Sequence, residues 1–248
     1  MFASALCASM HANAGVEDFR VARWGSGTGA DGRTYALVVS TSEWSWQDAQ
    51  SLAVACGGRL AATPTPQSMA FVMGIPSIPG AFHCAGPWLG GRRTAGGAWQ
   101  WAEANDAFVP FAWAVGRPAQ ASAFEAAVCL GGTGQPDGTW IDALPSPEAG
   151  GHTRSAIMVW DAFDDCDADG APDALEIAKD PSLDADGDGE LDACNQPSPD
   201  LNGDGVVDGN DLGILLAAWG AGTGPADLNR DGAVDGNDLG MLLAAWTL

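Results

Sequence analysis

Seventeen Asp and Glu side chains in the last third of the chain recur at one internal spacing, on alternate residues that lead into a glycine. The first run is Asp165, Asp167, Asp169, Gly170, Ala171, Asp173 and Glu176, at positions 1, 3, 5, 6, 7, 9 and 12 of a twelve-residue segment. The second is Asp184, Asp186, Asp188, Gly189, Glu190 and Asp192, with the amide Asn195 at position 12. The third is Asp200, Asn202, Asp204, Gly205, Val206, Asp208 and Asp211, and the fourth is Asp227, Asn229, Asp231, Gly232, Ala233, Asp235 and Asp238. The side chains, with the backbone carbonyl at position 7 (Ala171, Glu190, Val206, Ala233), supply the roughly six to eight oxygens that Ca2+ takes. The glycine permits the sharp turn that lets them converge. One such run could be a solvated acidic turn, but four with the glycine and position 9 filled each time point to Ca2+ as the cofactor.

The third and fourth runs are an internal repeat 27 residues apart, continuing as VDGNDLGILLAAW and VDGNDLGMLLAAW. Val207 and Val234 stand at position 8, where an apolar residue is expected to join paired loops by a short strand. Each loop leads into a helix whose Leu212, Leu215, Leu216 and Trp219 spread round much of the circumference, so the helix is expected to be covered. These two runs resemble the duplicated segments of dockerin domains, including Asp at position 12. The resemblance implies a cohesin-like or cell-surface protein as partner. It also implies contacts at Gly209-Asn210 and Gly236-Asn237 in either of two orientations. The first two runs resemble thrombospondin type 3 or related EF-hand-like repeats. Cys166 and Cys194 flank them, which suggests a disulfide closing the pair.

Charge separates the two parts of the chain: 21 acids and two bases follow residue 160, against 11 acids and eight bases before it. A net charge of -22 excludes nucleic acid as a partner, since phosphate binding needs clustered Lys and Arg. No stretch approaches the length of a membrane span. Residues 1–14 read as the end of a secretory signal, with Ala12-Asn13-Ala14 at the cleavage site, so the protein is expected to be secreted or at the cell surface. Six cysteines without C-x-x-C spacing and three histidines argue against a zinc site.

The first part alternates short strands with one clear helix. TYALVV reads as a strand, and WSWQDAQSLAVACGG as a helix with Trp46, Ala49, Ala53 and Cys56 on one face, stopped by Gly57-Gly58. Trp-bearing runs follow: PWLGG, WQW, FAW, TWID and AIMVW. The ordered set Tyr35, Trp46-x-x-Ala49, Cys56-Gly57-Gly58-x-Leu60-Ala61, Trp88-Leu89-Gly90-Gly91, Trp99-x-Trp101, Trp113, Cys129 and Trp140-Ile141-Asp142 resembles a C-type lectin-like domain. That resemblance implies an α+β fold over about half the chain and a glycan as ligand.

Sugar-binding members of that family hold Ca2+ through Glu-Pro-Asn or Gln-Pro-Asp in a long loop and Trp-Asn-Asp on the next strand. Here the loop reads Arg117-Pro118-Ala119 and the strand Trp140-Ile141-Asp142, so only Asp142 matches a ligand, and sugar binding should not need Ca2+. Gln135-Pro136-Asp137 lies just before Trp140 and reads as a turn. Pro145, and Met158 or a neighbour, stand where the family's disulfide partners fall, so Cys56, Cys84 and Cys129 are not expected to form the family's standard pairs; one new bridge and a free thiol are expected, with the pairing open and Cys84–Cys129 preferred. Trp99 and Trp101 could stack on a sugar but are more often core in the family.

Gly27-x-Gly29-x-x-Gly32 matches a dinucleotide fingerprint by letter but precedes a strand, so it reads as a turn. With no nucleophile motif or spare carboxylate pair, the chain reads as a non-enzyme. The expected organisation is a signal (1–14), an N-terminal segment (15–34), an α+β C-type lectin-like domain (35–161), acidic EF-hand-like calcium repeats (162–198) and a dockerin-like domain (199–248). The last two form a mainly α tail of duplicated loop-helix units. The function expected is that of a secreted carbohydrate-binding or other ligand-binding protein with a calcium-dependent docking or attachment module. The alternatives are a non-catalytic component of a polysaccharide-degrading assembly and a cell-surface structural protein whose lectin fold is only a scaffold.

Overall fold

The strand TYALVV forms as expected: β2, Thr34–Ser40, is buried along its whole length. A run without alternation must be covered on both faces, and this one is. The computed structural model describes residues 15–82, 86–94, 96–102, 107–118, 127–131, 137–144, 153–185, 187–194, 197–220, 222 and 224–247. The expectations for residues 1–14, Cys84, Ala119, Gln135, Pro136, Pro145, Asp186 and Asn195 lie outside these. Two compact units divide the chain, Met1–Glu190 and Leu191–Leu248.

In the first unit, β2 pairs antiparallel with β1, Val16–Arg23, and on its other edge with β8, Ser155–Trp160. Strand β2 and the last strand, β8, are therefore neighbours, and everything between them in sequence is a long excursion. The excursion contributes β3 (Arg59–Leu60), β4 (Trp88–Arg93), β5 (Trp99–Trp101), β6 (Ala127–Leu130) and β7 (Trp140–Ala143). The order is β1-β2-β8-β4-β6-β7, with β3 on β8 and β5 on β4. The β4–β8 contact is parallel, at Trp88 and Ala156. The sheet thus begins at Val16, in the segment the sequence set apart as 15–34. The three glycines of the dinucleotide-like run sit in the β1–β2 connection with positive φ, a turn as expected.

Period-two alternation sorts the central strands onto two cores. Ala36, Val38, Ala156, Met158 and Trp160 face one core with helix α1, Trp46–Ala55. Tyr35, Leu37, Val39, Ile157 and Val159 face the other with Met69 and Val72 of helix α2, Pro66–Met73. A capping box between Ser45 and Asp48 starts α1. Gly57 ends it at φ +74, and a Cβ on Gly58 would come within 2.7 Å of the Trp160 ring. The indole of Trp160 donates to the Cys56 carbonyl at 2.8 Å and that of Trp46 to the Leu89 carbonyl at 2.7 Å, so the large rings also tie segments together.

Cys129 contradicts the expected Cys84–Cys129 bridge. It is a free thiol on β6, fully buried, and donates to the Ile141 carbonyl at 3.7 Å. Burial pushes its pKa up, so the thiol is inert. Cys56, Cys166 and Cys194 are each disulfide-bonded, the state the expected Cys166–Cys194 closure requires.

The second unit holds α4, Gly209–Ala217, and α5, Gly236–Ala244, around Val207, Leu215, Ala226, Leu228, Val234 and Leu242. The position-8 valines do not pair with each other as the sequence suggested. The Val207 carbonyl accepts from Thr247 N at 3.0 Å and the Val207 N–H donates to the Thr247 hydroxyl at 2.7 Å, and the Val234 carbonyl accepts from Gly220 N at 2.9 Å. Each loop is closed by the residues that follow the other repeat's helix. Nor are the helices wrapped on all sides within this unit: Leu215 and Leu242 are buried, but Ile214, Leu216, Trp219, Met241 and Leu243 are exposed. Among the described residues no helix is long and apolar enough to cross a membrane.

Candidate metal centre

The four acidic runs fold into one backbone shape. Position 6 is left-handed in every loop, with φ of 90°, 88°, 88° and 89° at Gly170, Gly189, Gly205 and Gly232. Its N–H donates to the position-1 carboxylate each time: Gly170 to Asp165 at 3.2 Å, Gly189 to Asp184 at 3.0 Å, Gly205 to Asp200 at 2.7 Å and Gly232 to Asp227 at 3.0 Å. The N–H of position 7 donates to the carboxylate of position 5 in all four as well, from Ala171, Glu190, Val206 and Ala233. The same two hydrogen bonds thereby fix the backbone of each loop.

Position 4 is left-handed too, a feature the sequence reading missed. It is Gly187 and Gly203 in the second and third loops, but Ala168 (φ 60°) in the first and Arg230 (φ 56°) in the fourth. A non-glycine residue there costs about 1 kcal/mol or more and persists only where surroundings enforce it. The Arg230 guanidinium meets Asp192 at 3.1 Å, which occupies position 9 of the second run.

The loops differ in what their ligand oxygens touch. In the third and fourth, positions 9 and 12 are also the cap and third residue of α4 and α5. Asp208 and Asp235 cap the helices, while Asp211 and Asp238 complete the capping boxes. Asp211 is fully buried and accepts from Leu201, Asn202 and Asp208 backbone N–H groups, and these hold its pKa below the usual range. Asn202 and Asn229, at position 3, each accept from the position-5 N–H and donate to the position-5 carboxylate. Asp227 is buried, and its Oδ1 has no hydrogen-bond partner among the described residues.

The first loop is the most concentrated. Carboxylate oxygens of Asp165, Asp167 and Asp173 lie within 4.8 Å of one another, as do those of Asp167, Asp169 and Glu176. Asp165 Oδ1 and Glu176 Oε2 are shut off from solvent with no partner among the described residues. Burial, then the charges of Asp169, Asp167, Asp173 and Asp165, push Glu176 up to about 7. Orphaned anionic oxygens facing one another are costly unless a cation lies between them. The donor set, all oxygen, suits a hard cation such as Ca2+ rather than a soft metal. In the second loop Asp184 accepts from Asp188 and Gly189 N–H at 3.0 Å each.

At the long-loop position of the first unit, the Arg117 Nη1 donates to Asp142 Oδ1 at 3.0 Å and to the Asp142 carbonyl at 3.2 Å. A fixed guanidinium therefore lies against the one matching ligand on β7. Trp101 is buried, its ring 5.5 Å from that of Trp140 between centroids. Trp99 is half-buried, 4.9 Å from Trp113 between ring centroids, and Phe111 and Val115 are exposed on the same loop.

No protein-family model matches the sequence, and no curated protein matches it. Solved structures similar over about half of the chain are C-type lectin-like domains. They include a calcium-independent type II antifreeze protein, 17% identical over 52% of this chain and 85% of its own, TM-score 0.38. The C-type carbohydrate-recognition domain of cow CD23 is 18% identical over 53% and 90%, TM-score 0.39. Human lithostathine is 18% identical over 51% and 91%, TM-score 0.38.

Proposed function

We propose that this chain is a secreted or cell-surface, non-enzymatic binding protein. A lectin-like unit takes a glycan or another ligand, and a calcium-loaded, dockerin-like tail docks or attaches it. The observation that carries the calcium part is the shared loop backbone together with buried, unpartnered oxygens at Asp165, Glu176 and Asp227. Asp165, Asp167, Asp169, Asp173 and Glu176, with the Ala171 carbonyl, would hold the first ion. The second, third and fourth runs would hold theirs through the matching positions. Bound Ca2+ would neutralise carboxylates that otherwise repel one another.

The pairing of β2 with β8 and the Trp-rich excursion between them support the lectin-like reading. The Arg117–Asp142 pair supports ligand binding that does not need Ca2+. Docking is supported by the apolar residues that α4 and α5 expose in matching places, Ile214 and Leu216 on one and Met241 and Leu243 on the other. The test is calorimetry with Ca2+ followed by a glycan array with and without EDTA. Ca2+ uptake with EDTA-insensitive glycan binding is expected. No uptake at millimolar Ca2+ would remove the calcium part, and sugar binding abolished by EDTA in the lectin-like unit would remove the other.

A further inference from the structure

The first acidic loop belongs to the lectin-like unit, not to the tail. Its last ligand positions, Asp173 and Glu176, are in the first turn of α3, Asp173–Lys179. On the same short helix Leu175 is fully buried in the core that holds Trp46, Leu52, Cys56, Trp88 and Trp160. Ile177 is buried as well. The Cys56 sulfur lies 3.6 Å from the Ala174 carbonyl oxygen, and Lys179 Nζ lies 3.1 Å from Asp18 on β1. Helix α3 therefore touches both the sheet edge and the end of α1.

What α3 lacks is a start of its own. Helices α1, α2, α4 and α5 all begin with a side-chain capping box, whereas α3 begins after Pro172 with no side-chain cap hydrogen bond. Seven residues do not hold a helix by propensity. At its head five carboxylates crowd together, two of them with a buried oxygen left unpartnered. We infer that a cation held by Asp165, Asp167, Asp169, Asp173 and Glu176 fastens α3 to the lectin-like unit, so that calcium sets the stability of that unit and not only of the tail. The inference rests on the calcium reading above and deepens it. The ion takes over the role that a capping box has in the other helices, and Leu175 and Ile177 transmit the order of the helix to the core.

The test uses the full chain. Nine of its eleven tryptophans, Trp24 to Trp160, lie in the first unit, so thermal unfolding followed by Trp fluorescence reports mainly on that unit. At free Ca2+ ~100-fold above its Kd, the folded-to-unfolded ratio should rise ~100-fold, a midpoint shift on the order of 5–10 °C. Asp165→Asn with Glu176→Gln should abolish that shift while calorimetry still finds the other sites. Asp227→Asn with Asp231→Asn should keep the shift and lose one ion. Hydrogen exchange of the unaltered chain with and without Ca2+ checks the same point independently. Added protection is expected in Trp46–Ala55 and Ser155–Trp160. The inference is overturned if the chain binds Ca2+ but the Trp midpoint does not move, if the first-loop variant loses an ion yet keeps the shift, or if added protection is confined to residues after 190. A chain that takes up no Ca2+ overturns the calcium reading itself, and this inference with it.

Discussion

Replacing Arg117 with alanine should destabilise the first unit by an amount that calcium cannot repair. The Asp142 side chain is 8% exposed and its guanidinium partner 40% exposed, 3.0 Å away. Removing one member of a fully buried pair costs about 3–5 kcal/mol, and an exposed pair is worth only about 0–1 kcal/mol. With one partner buried and the other half in water, the loss should fall between, at about 1–2 kcal/mol. In a unit of this size that lowers the unfolding midpoint by roughly 2–8 °C. Asp142→Asn should cost less, since it removes the charge that needs a partner. The double variant should recover more than half of the loss in a thermal-unfolding cycle read by Trp fluorescence in EDTA. Millimolar Ca2+ should raise the midpoints of Arg117→Ala and of the unaltered chain alike and leave the gap between them unchanged, because Asp142 alone is far short of the oxygens a calcium ion needs. A gap closed by Ca2+, or an Arg117→Ala midpoint equal to that of the unaltered chain, would refute the view that this guanidinium is the counter-charge Asp142 needs.

Three further outcomes are expected. Asp161 is held down at about 2 by hydrogen bonds from Arg59 and then Arg33, so its contribution is present above pH ~4 and lost as pH falls towards 2; Asp161→Asn should be less stable than the unaltered chain at pH 7 and equal to it near pH 2, and a gap that persists at pH 2 counts against this. Non-reducing peptide mapping should recover Cys166 joined to Cys194, a closure worth roughly 3–4 kcal/mol in the chain-entropy model, and any other partner for either residue rejects the bridge. Asn210 and Asn237 donate from matching helix starts, at 2.7 and 2.8 Å to Asp208 and Asp235, so Asn210→Arg or Asn237→Arg alone should cost a docking partner little and both together should abolish capture; complete loss with one change makes the interface one-sided.

The parts of this chain legible in its letters are those whose determinants are local. Loop ligands recur at fixed offsets, and α1 carries its cap, its apolar face and its glycine stop within a dozen residues. Strand β1 escaped because VEDFRVAR is an edge strand with little burial, and Arg20 and Glu17 look like loop residues until β2 is beside them. Helix α2 escaped because eight residues are too few to show a period, although Thr65 and Pro66 do mark its start. Position 4 of the loops was hidden by Ala168 and Arg230, which carry no sign of positive φ. The pairing of Val207 with Thr247 and of Val234 with Gly220 was hidden because it joins residues from opposite repeats.

The same loop backbone serves helices that face opposite ways. Helix α3 buries Leu175 in the core that holds Trp88 and Trp160, and among the described residues its loop is the one in which carboxylates crowd together. Helices α4 and α5 use Asp211 and Asp238 for capping, which makes each a self-sufficient start, and they leave four large apolar side chains, Ile214, Leu216, Met241 and Leu243, in solvent. A unit of this size gains nothing from such exposure unless another surface covers it. The near-identity of the third and fourth runs, against the divergence of the first two, follows from this difference. A loop inside a core answers to one set of neighbours, so its sequence need match no other. On the docking proposed above, two loops that present alternative faces to one partner would be held alike by it. On this argument a change that makes Met241 and Ile214 the same residue should leave docking intact, whereas a charge placed at Leu216 or Leu243 should reduce it without disturbing the Trp-rich unit.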